Sequence, residues 1–249
     1  MRIIRNVGYV RRRKRLARWS ALAGFLLLTG TFWLALYPNL IGGAYLVLFF
    51  GFLLFNFGMQ QIGKWSRSPR ADVVLDGRLR RLPDKYSILH YVAAGKRTVE
   101  HLFVHPGGVL VLTTRELAGD VRGRGNRWRK RGLGLTRIFA FSGPRLGNPT
   151  FETRQDVHAV EETLTQLGVA VEVGGVIVFL NPMVDLDVDE VPFPAILLDE
   201  LLDFIAELPI EPSLKPAERD RIVALFSQGE EIERIERQRT RRPVKRRAS

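Results

Sequence analysis

The sequence contains no cysteine. Disulfides, thiolate metal sites and cysteine nucleophiles are thereby excluded, which fits a reducing compartment. Acid is missing from the first 70 residues, which carry eleven Lys or Arg and neither Asp nor Glu. Charge of either sign, and histidine with it, is missing from the whole run Trp19 to Gly63. Signature motifs are missing too. There is no G-x-S-x-G elbow and no H-E-x-x-H, and Gly123, Gly125, Gly132 and Gly134 do not stand between a strand and a helix at phosphate-binding spacing. Serine-elbow, zinc-hydrolase and nucleotide-loop chemistry therefore have no residues to stand on.

What is present is charge at the ends. The 249 residues carry a formal net charge of +12, which taken whole suggests a nucleic-acid binder. Residues 1–70 contribute +11, and residues 230–249, with eight basic and four acidic side chains, contribute +4. The stretch 71–229 holds nineteen basic against twenty-two acidic residues, a net of −3. The positive excess therefore belongs to flanks and tail, and the middle is a near-neutral folded domain.

The uncharged run is interrupted at Pro38 and Asn39, leaving two apolar stretches, 19–37 and 40–59. Each is close to the ~20 residues that cross a bilayer. They predict a transmembrane helical hairpin over 19–63, preceded by a basic N-terminus, 1–18. Trp19, Trp33, Tyr37 and Trp65 fall at or near the ends, where amphipathic rings suit headgroups. The cations of Arg11 to Arg18 and Lys64, Arg67 and Arg70 lie outside the hairpin, so the positive-inside bias predicts both termini in the cytoplasm. A signal peptide would have a shorter apolar core and no second span. Asn56, the amide of the second stretch, is expected to bond between the helices.

Behind the hairpin the pattern is α/β. Leu75, Leu79 and Leu82 predict a short helix stopped by Pro83. Tyr86 to Ala93, Val99 to His105 and Val109 to Arg115 predict strands, the last two joined by a Pro106-Gly107-Gly108 turn, and Gly119 to Gly123 extends the sheet. Thr150 is placed to cap a helix with Val157, Val160, Leu164 and Leu167 on one face, and Gly174 to Leu180 is a short apolar strand. Helices are predicted over 196–208 and 213–226, with Ser213 as cap, Pro216 in the first turn and an extension through 230–240. The basic tail at the end of 230–249 is poor in apolar residues and predicted to be partly disordered.

Several of these pieces, in order, resemble the NERD family, nuclease-related domains whose core is similar to the PD-(D/E)xK restriction-endonuclease fold. The resemblance covers about residues 71–226. It is carried by Leu79, Leu82 and Pro83 before the first strand, by Val99, Glu100 and His101 before the Pro106-Gly107-Gly108 turn, by the strand into Arg115, by Gly119, Gly123 and Trp128, and by Asn148 with Pro149. It implies a mixed sheet flanked by helices, here preceded by the two-helix hairpin. It also implies a site in which carboxylates on neighbouring strands hold Mg²⁺ and a lysine steadies developing charge. Matched position by position, that site falls on Asp72, Glu100, Thr113 and Arg115. Thr113 stands where the family has glutamate and Arg115 where it has lysine. Glu116 is adjacent, but strand alternation aims it at the other face. After Asn148, Glu152 replaces the usual glutamine, with Gln155 a turn later. These departures imply a degenerate site holding no metal.

Each candidate also has a plainer reading. Glu100 at a strand start is equally an ion-pair partner. His90, His101, His105 and His158 invite a metal, but His101 and His105 lie ~13 Å apart along a strand. Arg122, Arg124, Arg127, Arg129, Lys130 and Arg131 around Trp128 could grip phosphates and stack a base, or form a solvated hairpin loop facing water or anionic lipid. The functional expectation is a membrane-anchored, cytoplasmic binding or scaffolding domain, with membrane lipid and, through the 122–131 loop or the tail, nucleic acid as partners. The alternatives are an active Mg²⁺-dependent nuclease with a rearranged site and a structural membrane protein without ligand.

Overall fold

A computed structural model describes residues 1–131, 145–210, 214–228 and 231–236. Gly132, Gly134, Ser213, Glu230 and the tail 237–249 lie outside the described residues. The chain opens with strand β1 (Arg2–Asn6) and enters helix α1 (Val7–Ala35) through Asn6, whose side chain accepts from the Tyr9 amide. A 3-10 turn at Pro38–Leu40 reverses it into α2 (Ile41–Trp65). There follow α3 (Ala71–Leu79), β2 (Ser87–Ala94), β3 (Arg97–His105), β4 (Gly108–Arg115), β5 (Gly119–Arg124), β6 (Arg127–Lys130), α4 (Pro149–Gln166), β7 (Val173–Phe179), β8 (Val184–Asp189), β9 (Ala195–Leu197), α5 (Leu201–Glu207), α6 (Pro216–Phe226) and β10 (Ile232–Glu236).

Seven strands form one mixed sheet in the order β10-β1-β2-β3-β4-β7-β9. The β2-β3-β4 meander is antiparallel, while β1 runs parallel to β2, and β7 parallel to both β4 and β9. The 106–108 turn is where the patterning placed it. One face of the sheet, with Leu89, Leu102, Val104, Val109 and Val111, packs on α4 and α6 through Val160, Leu164, Ile222 and Phe226. The other, with Ile88, Phe103, Leu110 and Val176, packs on α3 and α5 through Leu75, Leu79, Leu201 and Ile205. Each such side chain, fully buried, contributes about 1.5–3 kcal/mol. A smaller sheet, β6-β5-β8, joins by Val121 and Val184 packing with Ile177 and Phe179.

Several sequence expectations are corrected. The basic segment 1–18 begins with a sheet strand and continues as the first turns of α1. Helix 196–208 begins as strand β9, and 230–240, expected to prolong a helix, contains β10, which pairs antiparallel with β1. At three residues β9 is too short, and β10 too charged, to alternate legibly, and pairing supplies what pattern does not. Asn148 rather than Thr150 caps α4, accepting from the Phe151 amide at 3.1 Å. Lys215 stands at the cap position of α6 with Pro216 as its first residue. Asn56 donates to Phe52 O one turn back in its own helix instead of bridging the pair.

Helices α1 and α2 lie against each other on small residues. Buried Ala44, Gly51, Gly58 and Trp65 recur every seven residues along α2, facing Ala17, Ala21 and Gly24 of α1. That period keeps one seam in contact. A Cβ on Gly24 would strike the Phe55 backbone, and one on Gly58 the Ala21 backbone. Large side chains, including Phe32, Trp33, Tyr45, Leu46 and Phe49, point outward and are exposed. Among the described residues one helical stretch, Pro38–Trp65, is long and apolar enough to cross a membrane; α1 carries six cations between Arg11 and Arg18 before its apolar stretch begins. At the foot of the pair, Tyr9, Trp65 and Tyr91 form an aromatic joint to the sheet, with ring centroids 5.4–5.7 Å apart.

Candidate functional site

A cavity of about 970 Å³ opens where the last turn of α2 meets the sheet. Its walls come from 60–67, from the start of α3, from β2, β3 and β4, and from the beginning of α4. Glu100, Thr113 and Arg115 all border it. Asp72 does not. It is fully buried, with Arg5 Nε 2.7 Å from one carboxylate oxygen and Arg70 donating bidentately at 2.8 and 2.9 Å. Burial opposes its charge, but the Arg70 hydrogen bonds and the neighbouring Arg5 outweigh that and lower its pKa to about 2. The matched first acid therefore anchors β1 to α3 and the segment after α2.

Glu100 is positioned by a departure from strand regularity. Tyr91 has φ +59°, a left-handed conformation rare for an aromatic residue, and Tyr91 and Glu100 drop out of the β2–β3 register between the pairs His90↔His101 and Val92↔Val99. Side-chain phase shifts there. Val92 and Val99 face α4 and α6, whereas His90, Tyr91, Glu100 and His101 come together on the side of α3 and the helix roots. Strict alternation would have separated Glu100 from His101. Glu100 pairs with Lys64 of the last turn of α2; burial raises its pKa, but the charge and hydrogen bond of Lys64 oppose it, and the net shift is downward. Burial likewise raises the pKa of the Tyr91 phenol, which stays protonated.

Thr113 and Thr153 share a hydroxyl hydrogen bond of 2.7 Å. Arg115 is held on all sides: Nε donates to Leu146 O at 2.7 Å, one terminal nitrogen to Thr114 O at 2.9 Å, and the other contacts Glu152 at 2.7 Å. Glu116, which alternation assigned to the opposite face, borders the same cavity, because β4 ends at Arg115, and it accepts from Arg67 at 2.8 Å. Arg97 grips Asp156 and Gln155 on α4. Lys64, Arg67, Arg97, Arg145, Glu116, Glu152 and Asp156 were not singled out as site residues in the sequence. Lys64, Arg67 and Arg70 were read only as flanking charge that orients the hairpin; their three-residue spacing was the signal missed.

Beneath the cavity runs a buried polar chain. Asp76 meets His90 Nε2 at 2.9 Å, His90 Nδ1 lies 2.8 Å from His101 Nδ1, and His101 Nε2 lies 3.3 Å from the Thr114 hydroxyl. Desolvation, with His90 as neighbour, lowers the His101 pKa to about 3, so His101 is neutral near pH 7. The sequence treated these histidines singly. The two-residue turn after Ala94 makes 90 and 101 cross-strand partners, the signal that was missed.

The Arg122–Arg131 segment is the β5–β6 hairpin, with Gly125 at φ +54° in its turn. Arg122 and Arg124 are paired with Asp187, and Arg124 also with Asp189, on β8. Trp128 donates to Thr150 Oγ1 at 2.7 Å and lies over Gly123 and Phe179, so its ring packs on protein instead of offering a free stacking face. Arg127, Arg129, Lys130 and Arg131 remain at its outer edge, all but Trp128 exposed along β6.

Mg²⁺ needs several oxygen ligands in near-octahedral array. Among the described residues no three His, Asp or Glu side chains are grouped so as to hold a metal ion. The four carboxylates bordering the cavity, Glu100, Glu116, Glu152 and Asp156, each face a cation. The residues as arranged do not fit the ion that the nuclease fold would use.

Residues 70–180 match the family model of NERD, the nuclease-related domain. Comparisons with curated proteins and with solved structures give no match. The matched stretch runs from Arg70 through α3, the β2–β4 meander, the β5–β6 hairpin, α4 and β7 to Leu180, and leaves β1, the helix pair and everything from β8 onward outside it. With the mixed sheet in place, residues 70–180, the part of the chain that builds the meander, the β5–β6 hairpin, α4 and β7, are similar to the nuclease-related domain family.

Proposed function

We propose that this protein is a membrane-anchored nuclease-related domain, cytoplasmic at both termini, whose site binds an anion and does not cut phosphodiesters. The observation that carries this reading is the charge around the cavity. Six cations border it, Lys64, Arg67, Arg70, Arg97, Arg115 and Arg145, against four carboxylates, each already paired. A dication would be repelled there, whereas a phosphate oxygen would find donors.

Anchoring is supported by the small-residue seam with apolar side chains turned outward, and by a topological constraint. Strand β1 precedes α1, yet it lies in the sheet between β2 and β10, which both follow α2. A chain whose first strand shares a sheet with strands beyond the helices begins and resumes on one side of a membrane. If α2 crosses, α1 must cross back, which makes the pair a two-span hairpin.

The test is cleavage of DNA and RNA by the purified full chain in Mg²⁺ or Mn²⁺. We expect no activity above background in wild type, and the comparison is with Glu100→Ala and with Thr113→Glu combined with Arg115→Lys. Metal-dependent cleavage by wild type that vanishes in Glu100→Ala would sink this reading in favour of an active nuclease with a rearranged site.

A further inference from the structure

The cavity's wall is the end of the apolar helix itself. Gln60 to Arg67, the last turn of α2 and the residues after it, border the cavity together with Glu100, Thr113 and Arg115. Ile62, Trp65, Ala71, Tyr91 and Leu112 add apolar lining beside the cations. A pocket that is part apolar and part cationic, at the depth where a spanning helix leaves hydrocarbon, matches a lipid headgroup with its glycerol and first methylenes.

Donor capacity selects the residues. Arg115 is consumed by two carbonyls and Glu152, and Arg97 by Asp156 and Gln155. Arg67 makes one contact, to Glu116, and a guanidinium has five N–H donors. Lys64 makes one hydrogen bond, to Glu100, of the three its ammonium can donate, and lies 5.5 Å from the Trp65 ring. Arg145 is exposed and has no hydrogen bond or ion pair among the described residues. We propose that Arg67, Arg145 and Lys64 bind the phosphate of an anionic phospholipid drawn from the membrane that α2 spans. This rests on the anchoring argued above. The site couples the domain to its membrane: two of the cations that receive the headgroup, Lys64 and Arg67, also hold Glu100 and Glu116, so lipid charge reaches one matched nuclease position, Glu100, directly.

The experiment is calorimetric titration of the full chain in nonionic detergent with dihexanoyl phosphatidate, dihexanoyl phosphatidylcholine and inorganic phosphate, with a single-stranded oligonucleotide as competitor. Phosphatidate is expected to saturate, at least tenfold tighter than inorganic phosphate and phosphatidylcholine. Arg145→Ala and Arg67→Gln are each expected to weaken it about tenfold, with Arg221→Ala, away from the cavity, unchanged. Because Arg145 is exposed and unpartnered among the described residues, its variant reports on binding even if Arg67→Gln loosens the fold, which a melting curve would reveal. Equal affinity for inorganic phosphate would make this a free-phosphate site, and displacement by the oligonucleotide at lower concentration would make it a nucleic-acid site; either overturns the proposal. Release of the chain from membranes by alkaline carbonate would refute the anchoring, and with it the lipid as source. A chain retained in the membrane that binds phosphatidate no better than phosphatidylcholine would refute the headgroup site alone.

Discussion

The carboxylate of Asp72 is fully buried and stays ionised because Arg5 and Arg70 enclose it. Its folded pKa of about 2 lies below the ~3.9 of an unfolded aspartate, so its stabilising contribution is present above pH ~4 and is lost as pH falls toward 2. That difference is worth about 2–3 kcal/mol. His101 and His105 act higher on the scale. Burial lowers them to about 3 and about 4, against ~6.5 unfolded, so stability falls from pH ~6.5 downward as the unfolded chain takes up protons that the fold excludes. Melting temperatures between pH 8 and 2.5 should therefore decline in two stages, and His105→Gln should flatten the upper one. Asp72→Ala, which strands two arginine cations, should cost about 3–5 kcal/mol at pH 7 in the same assay. From sequence Asp72 was legible only as a matched catalytic position. Its partner Arg5 is 67 residues away across the apolar segment, and only β1 pairing in the sheet brings it there.

At the scale of elements, the α1–α2 seam and the β1–β10 pair set what the helices and ends can tolerate. Gly24→Ala or Gly58→Ala would push a methyl into the facing backbone, so each should destabilise the helix pair by about 1–3 kcal/mol. Gly30→Ala and Gly42→Ala, with nothing within 4 Å, serve as controls in the same thermal unfolding series. Removing residues 237–249 should leave the melting temperature nearly unchanged. Removing 229–249 takes β10 from the sheet edge, uncovers β1 and deprives Arg5 of Glu233, and should lower it by several degrees. The meander was legible because Ile88 to Ala94, Val99 to His105 and Val109 to Arg115 are apolar runs bounded by turn residues. The short strands β1, β9 and β10 were not, since β1 and β10 are five residues with charges interspersed and β9 is three residues, too few to show an alternation.

For the whole molecule, the sheet pairs β1 with β10 across the helix pair, so on the anchoring proposed above both strands lie on one side of the membrane. Reporters fused before Met1 and after Glu236 should both report a cytoplasmic position, and a site-specific label at Asn39 should be accessible from the opposite side. Opposite locations for the two fusions would contradict the sheet and the two-span reading together.

The sequence by itself determined the apolar segment and its break at Pro38, the neutral α/β middle behind it, and the family resemblance that the match over 70–180 bears out. These are local properties, because hydropathy, turn chemistry and charge are read within a window of neighbours. Tertiary structure decided the rest. The phase shift at Tyr91 and Glu100 turned a strand residue toward the helix roots, and the end of β4 freed Glu116 into the cavity. The fold of β1 beside β2 placed Arg5 on Asp72, and the descent of α2 onto the sheet set Lys64 and Arg67 against Glu100 and Glu116. Each is a pairing of charges or strands far apart in the chain, and no residue's own preferences contain the identity of a distant partner.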